Sequence, residues 1–333
     1  MLIDRLKDLV HAMHEPRVLV VGDLMLDHYY WGDATRISPE APVPVVTVID
    51  ETHTVGGAGN VALNAAAYGG AVHLVGSYGA DSSGDKLAYK CKSSSIKLES
   101  FARREGVRTI VKSRVFVQKQ QLCRIDIEDN KNEYALDNKT IERLCRMVSN
   151  FDVVLLSDYA KGVVTVELNE ALALACANRA FLAIDPKPSN KINYTKPSLM
   201  TPNRLEAIQL SGINIGPRDP FPMAEVCQSI DEKFHPSLLA ITLGADGIVL
   251  AQQGDIIRLI PTLAKDVFDV SGAGDTVVST MALALRSGAS PVEAAILANC
   301  AAGIVISKVG TAVITIPELM KKIDEEEDII SKL

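Results

Sequence analysis

The chain has 333 residues, of which 47% are hydrophobic and 23% charged, which is enough apolar material for a substantial core and too much for a disordered chain. Its formal charge of -7 excludes a nucleic-acid or anionic-membrane partner, because such surfaces reward clustered Lys and Arg with counterion release. Any phosphate site must therefore be local.

Residues 1–10 place charged side chains among apolar ones at helical spacing, which predicts a surface helix rather than a signal peptide or anchor. No apolar run reaches the roughly 18 residues that span a bilayer. The six cysteines lie at least 22 residues apart and form no C-x-x-C pair or disulfide spacing. Reduced thiols and a cytoplasmic location are expected.

Short β-branched runs follow at 17–22, 72–79, 152–158, 180–186, 199–203 and 238–244, continuous enough for strands buried on both faces. Helical patterns lie at 138–149, 165–178, 203–211 and 222–234. The alternation predicts an α/β fold: a mostly parallel central sheet covered by helices on both faces, with active groups at the carboxyl ends of the strands. Residues 43–49 and the pair 107–117 and 121–127 read as strands without helices between them. They predict a small antiparallel β lid, drawn from about 28–50 and 107–127, that projects over the site. Near the C-terminus, Ser290-Pro291-Val292-Glu293 is a capping box with Pro at the first helical position, opening a helix to Ser307. A helix at 276–286, closed by Gly288, precedes it. One domain, 1–333, accommodates all of this.

The start of the 276–286 helix carries the chemistry. Asp269-Val270-Ser271-Gly272-Ala273-Gly274-Asp275 lets two glycines fold the backbone closely while the first helical amides point outward, unpaired. Such an N-terminus is an anion site suited to a transferring phosphoryl group. Asp275 is placed to accept a proton from an alcohol aligned on the same phosphorus. A plainer reading makes Asp275 an acidic first-turn residue favoured by the helix dipole and Asp269 a cap.

This segment, with Thr276, resembles the C-terminal motif of the ribokinase (PfkB) family of carbohydrate kinases. The resemblance implies a ribokinase-like fold, Asp275 as catalytic base and the amides of Gly272, Ala273 and Gly274 as an anion hole. Val55-Gly56-Gly57-Ala58-Gly59-Asn60 resembles the family's N-terminal glycine motif, which implies that Gly57 lets a sugar approach the backbone and that Asn60 binds its hydroxyls. The same stretch also satisfies G-x-G-x-x-A, with Asp81 about 20 residues on, so a nicotinamide-dependent oxidoreductase is a rival; the fingerprint is however missing from the first strand's turn, Gly22 to Asp27. In the resembling kinases an Asp at the position of Asp27 binds sugar hydroxyls, and a carboxylate can accept two at once.

Asn203-Arg204-Leu205-Glu206 reads as a capping box, and as the family's N-x-x-E it implies that Asn203 and Glu206 support ATP phosphates and Mg2+, Glu206 through water. Thr242, Gly244 and Gly247 resemble the family's nucleotide turn, and Asn299 lies on the helix that walls the adenine pocket. No Walker motif is present, so Lys187 is a candidate cation for the phosphates. A monovalent cation and a homodimer through the lid strands are further implications. Gly22 to Tyr29, Arg36 to Pro44 and Leu156 to Gly162 resemble the D-glycero-β-D-manno-heptose 7-phosphate kinases of the family, which implies ATP and a sugar phosphate as partners. Arg36, Lys119, Arg124 and Lys161 are the cations expected to hold the sugar's own phosphate. In enteric bacteria that kinase is fused to a nucleotidyltransferase; the charged helix that ends this chain predicts a stand-alone kinase. Another sugar or nucleoside kinase, or a non-catalytic sugar-binding regulator, are the remaining alternatives.

Overall fold

The computed structural model describes residues 2–118, 120–216, 219–264, 269–308 and 312–333. Among these, nine strands form the main sheet, in the order Asp255–Ile260, Ile248–Gln252, Leu239–Thr242, Leu199–Met200, Phe181–Asp185, Val153–Ser157, Val18–Gly22, Val72–Val75, Ile96–Leu98. The last seven run parallel, and the first two are added antiparallel. Every predicted main-sheet run is there, although 72–79 divides into Val72–Val75 and Tyr78–Gly79.

Continuous apolar runs are required because both faces are covered. Val18 and Val20 enter one core with helices Leu2–Ala12, Ala58–Ala66, Ala273–Arg286 and Pro291–Ile306, while Leu19 and Val21 enter another with Asn138–Met147, Val166–Cys176, Arg204–Ser211 and Met223–Phe234. Local signals set helix ends. Ser290 and Glu293 cap Pro291–Ile306 reciprocally, at 2.7 and 3.3 Å.

The lid is larger than predicted. Its four strands lie in the order Pro44–Gly57, Leu24–Ile37, Val111–Val117, Gln120–Ile127. The stretch after Gly22, expected to be a strand-to-helix turn, runs into the 14-residue strand Leu24–Ile37, and 43–49 is the outer end of Pro44–Gly57. The sheet is antiparallel at both edges and parallel in its middle, because the chain crosses through two helices and main-sheet strands before returning as Val111–Val117, and such a crossover allows a parallel neighbour. No helix among the described residues is long and apolar enough to cross a membrane, and the six cysteines are free.

Candidate active site

Helix Ala273–Arg286 begins three residues earlier than its pattern predicts, with Gly272 as N-cap at φ 83°. That left-handed conformation favours glycine, and a Cβ there would lie 2.7 Å from the Asn60 amide nitrogen. Asp275 is 4% exposed. Tyr159 donates its hydroxyl to Oδ1 at 2.7 Å, and Asn60 donates Nδ2 to Oδ2 at 2.6 Å. Burial pushes the carboxyl up to about 6; the two hydrogen bonds oppose this and the charge of Asp27 adds to it. Such a group is ionised at neutral pH yet more basic than an ordinary aspartate, as a general base requires. The Ala273 amide donates to Val270 O at 3.3 Å, so in this structure it is engaged within the turn rather than offered to an anion.

Both Asp275 and Asn60 sit in the first turn of their helices, and a polar ladder holds those helices together. Thr276 donates to Asn64 Oδ1 at 2.8 Å, Ser279 to Val61 O at 3.1 Å, and the hydroxyls of Tyr68 and Thr280 meet at 2.8 Å. Asn60 was expected to face a sugar; its amide nitrogen holds the Asp275 carboxylate, and its buried Oδ1 has no partner among the described residues. Tyr159 carries no role in the sequence reading. It follows the end of Val153–Ser157, on a loop that two buried aspartates fix. Asp23 accepts the backbone amides of Tyr159, Lys161 and Val163 at 2.8, 3.0 and 2.9 Å. Asp158, pushed up to about 6 chiefly by burial, accepts from Tyr194, Asn190 and the Ala160 amide.

Asp27 is buried near the base of the lid and accepts from Arg114 at 2.5 Å. Gly56 makes room for it, since a Cβ there would come within 2.2 Å of Asp27 Oδ2. Arg114, which the sequence reading did not single out, also lies 5.4 Å over the Tyr29 ring. Gly57 is the N-cap of Ala58–Ala66. Asp81, which a dinucleotide site would need on a ribose, caps Ser82–Ser93 through Gly84 and binds the Thr109 amide and hydroxyl.

Further along the carboxyl edge, Asn203 and Glu206 form the expected capping box, at 3.0 Å in both directions. Lys187 reaches Glu206 Oε1 at 2.8 Å. Thr242 is bridged to Asn203, and the turn containing Gly244 and Gly247 follows it, closed by the Leu243 amide on Gly247 O at 2.7 Å. Asn299 accepts the Leu263 amide at 3.1 Å and donates to Pro261 O at 2.7 Å, so its amide group pins a loop. Asp185, passed over in the sequence, ends Phe181–Asp185. Burial and the charges of Asp275 and Glu206 push its carboxyl well above the usual range, with Lys187 opposing.

The expected phosphate cations separate. Lys161 is paired with Glu128 and Arg124 with Asp126, both at the lid base. Arg36 is exposed near the far end of Leu24–Ile37. Nine residues of strand beyond Asp27, at about 3.3 Å each, carry it away from its own chain's site, which corrects its placement on the sugar. Lys119 lies outside the described residues.

The model of the pfkB family carbohydrate kinases matches residues 15–319. The bifunctional protein HldE of Sulfurimonas denitrificans is 39% identical over 307 residues, 91% of this chain and 63% of the relative. That of Desulfatibacillum aliphaticivorans is 41% identical over 316 residues, 93% of this chain and 63% of the relative. The chain thus spans less than two thirds of the length of these relatives. Among solved structures, phosphofructokinase-2 from Escherichia coli in complex with potassium superposes with a TM-score of 0.74 at 18% identity, covering 94% of this chain and 99% of that one. With its buried Asp275 carboxyl at a glycine-rich helix start and its sheet topology, the chain belongs to the pfkB family of carbohydrate kinases and is a sugar kinase.

Proposed function

We propose that the chain transfers the γ-phosphoryl group of ATP to the anomeric hydroxyl of D-glycero-β-D-manno-heptose 7-phosphate, giving the 1,7-bisphosphate for the lipopolysaccharide inner core. The observation that carries the chemistry is the Asp275 carboxyl, buried and held by Tyr159 and Asn60 within electrostatic reach of Asp27. The heptose assignment rests on the three heptose-kinase-like segments, including Gly22 to Tyr29 around Asp27, and on the identity to the HldE relatives.

In this mechanism Asp27 and the backbone at Gly57 orient the sugar. Asp275 takes the hydroxyl proton as the oxygen bonds to the γ-phosphorus, and the bond to ADP breaks with its electrons going to the ADP oxygen. Gly272 and Gly274, with Ala273 once its amide leaves Val270, receive the charge of the phosphoryl group. Asn203, Thr242, Gly244 and Gly247 line the nucleotide, Lys187 meets its phosphates, and Asn299 holds the loop beside the adenine.

The residues fit a magnesium ion carried mainly by water and phosphate oxygens. No cluster of three ligating side chains occurs among the described residues, but the Asp185 carboxylate accepts no hydrogen bond there and its charge is disfavoured beside Asp275 and Glu206. Asp185, and Glu206 through water, would hold the ion, which when bound offsets phosphate charge. A monovalent cation is part of the proposal, in keeping with the potassium of the E. coli neighbour. So are a cytoplasmic location, where ATP and sugar phosphates occur, and a homodimer through the lid.

An ADP-release screen over phosphorylated and free sugars tests this. Heptose 7-phosphate should be preferred, and Asp275→Asn should lower kcat by about 10²- to 10⁴-fold. Wild-type turnover by Asp275→Asn removes the base assignment, and preference for ribose or fructose removes the heptose.

A further inference from the structure

The site-facing side of the lid carries more cations than its carboxylates engage. Strand register sets Asp27, Lys112 and Asp126 in one row and Tyr29, Arg114 and Arg124 in the next, all on one face by the alternation of strands. Asp27 is engaged by Arg114 at 2.5 Å, Asp126 by Arg124 at 2.9 and 3.0 Å, and Glu128 by Lys161. Lys112 is half-buried and, among the described residues, has no hydrogen bond or ion pair. Arg114 and Arg124 stand directly opposite one another, each held by its own carboxylate. Burial, with the charges of Lys161 and Arg124, presses the Lys112 ammonium below its usual range, Asp126 and Asp27 opposing.

We propose that Lys112, flanked by Arg124 and Lys161, binds the phosphate that the acceptor sugar already carries, and so selects a sugar phosphate over the free sugar. The inference rests on the sugar-phosphate reading given above. Asp27 supplies the geometry. It lies within electrostatic reach of Asp275 and beside Lys112 in register, with neighbouring strands about 4.8 Å apart. A sugar lying over Asp27 therefore has its reacting hydroxyl at Asp275 and its far end at Lys112. A local cluster of this kind is also the arrangement that a chain of net charge -7 needs to attract a phosphate monoester.

Lys112→Met and Lys112→Arg are compared with the wild type in ADP release, using heptose 7-phosphate and the same heptose without its phosphate. In Lys112→Met, loss of a charge-assisted hydrogen bond should raise KM for the sugar phosphate about tenfold to hundredfold. The preference for phosphorylated over free sugar should fall by a similar factor, with kcat and the KM for ATP held within about threefold. Lys112→Arg should recover most of the loss, and thermal unfolding should show both variants folded. An unchanged KM for the sugar phosphate in Lys112→Met overturns the subsite while leaving the substrate reading intact. A wild type that uses the free sugar as well as the phosphate overturns both.

Discussion

Asp275 titrates near 6 because burial disfavours its charge while Tyr159 and Asn60 each donate a hydrogen bond that favours it. As the base it must be ionised, so kcat/KM should rise with pH through about 6. Asp158 is also pushed up to about 6, so a variant is needed to assign the limb. Tyr159→Phe removes a bond to the ionised form, raises the Asp275 pKa and should move the limb to higher pH; an unmoved limb counts against this role. Stability gives an independent reading. The folded Asp275 holds its proton more tightly than an unfolded aspartate, so ionising it destabilises the fold as pH rises from the ordinary 3.8 through about 6. Asp275→Asn removes that penalty, on the order of 2 to 3 kcal/mol, and Asn60 can turn its unpartnered oxygen toward the new amide. Thermal unfolding at pH 7.5 should show the variant more stable, and the gain should vanish at pH 4; a less stable variant at pH 7.5 would contradict the assignment. The buried carboxylate at a glycine-rich helix start was legible because its glycines and Asp275 are contiguous. Tyr159, Arg114, Lys112 and Asp185 were not, because the groups around them come from distant parts of the chain and no local spacing marks them.

Among the elements, the main-sheet strands were legible because burial on both faces demands unbroken apolar runs such as Val18–Gly22. Leu24–Ile37 was not, since it follows the first strand without a turn signal and changes from buried at Asp27 to exposed at Arg36. This strand and Pro44–Gly57 form the seat of Asp27, and their close approach at Gly56 has a testable cost. In Gly56→Ala the new methyl would meet the Asp27 carboxylate at 2.2 Å, and strand pairing with Met25 restrains the backbone from giving way. Asp27 must turn aside, so KM for the acceptor should rise about tenfold or more, with the KM for ATP little changed. A stability loss of about 1 to 3 kcal/mol, typical of overpacking, should accompany it. Wild-type acceptor kinetics in this variant would show that Asp27 is not held as described.

At the scale of the whole molecule, the topology gathers what the chain disperses: Asp23, Tyr159 and Asn203 follow main-sheet strands at their carboxyl ends, Asp185 is the last residue of its strand, and Asp275 closes the group from the helix side. The lid leaves that body with two open edges, Pro44–Gly57 and Gln120–Ile127. Such edges expose unpaired backbone groups, and here they also carry apolar side chains. Ile49 is 70%, Ile125 53% and Ile127 41% exposed. Ile125 and Ile127 point away from the face that carries Lys112 and Arg124, so a partner can cover them without filling the sugar site. A second copy pairing lid to lid removes both liabilities by a two-fold interface. Light scattering during size exclusion should therefore give a mass about twice 35.8 kDa. Ile125→Lys with Ile127→Lys should give the single-chain mass, with thermal unfolding changed by no more than about 0.5 kcal/mol per surface site if the monomer carries its own core. A wild type that remains single-chain at micromolar concentration, or a double variant that stays paired, would rule out the lid as the interface.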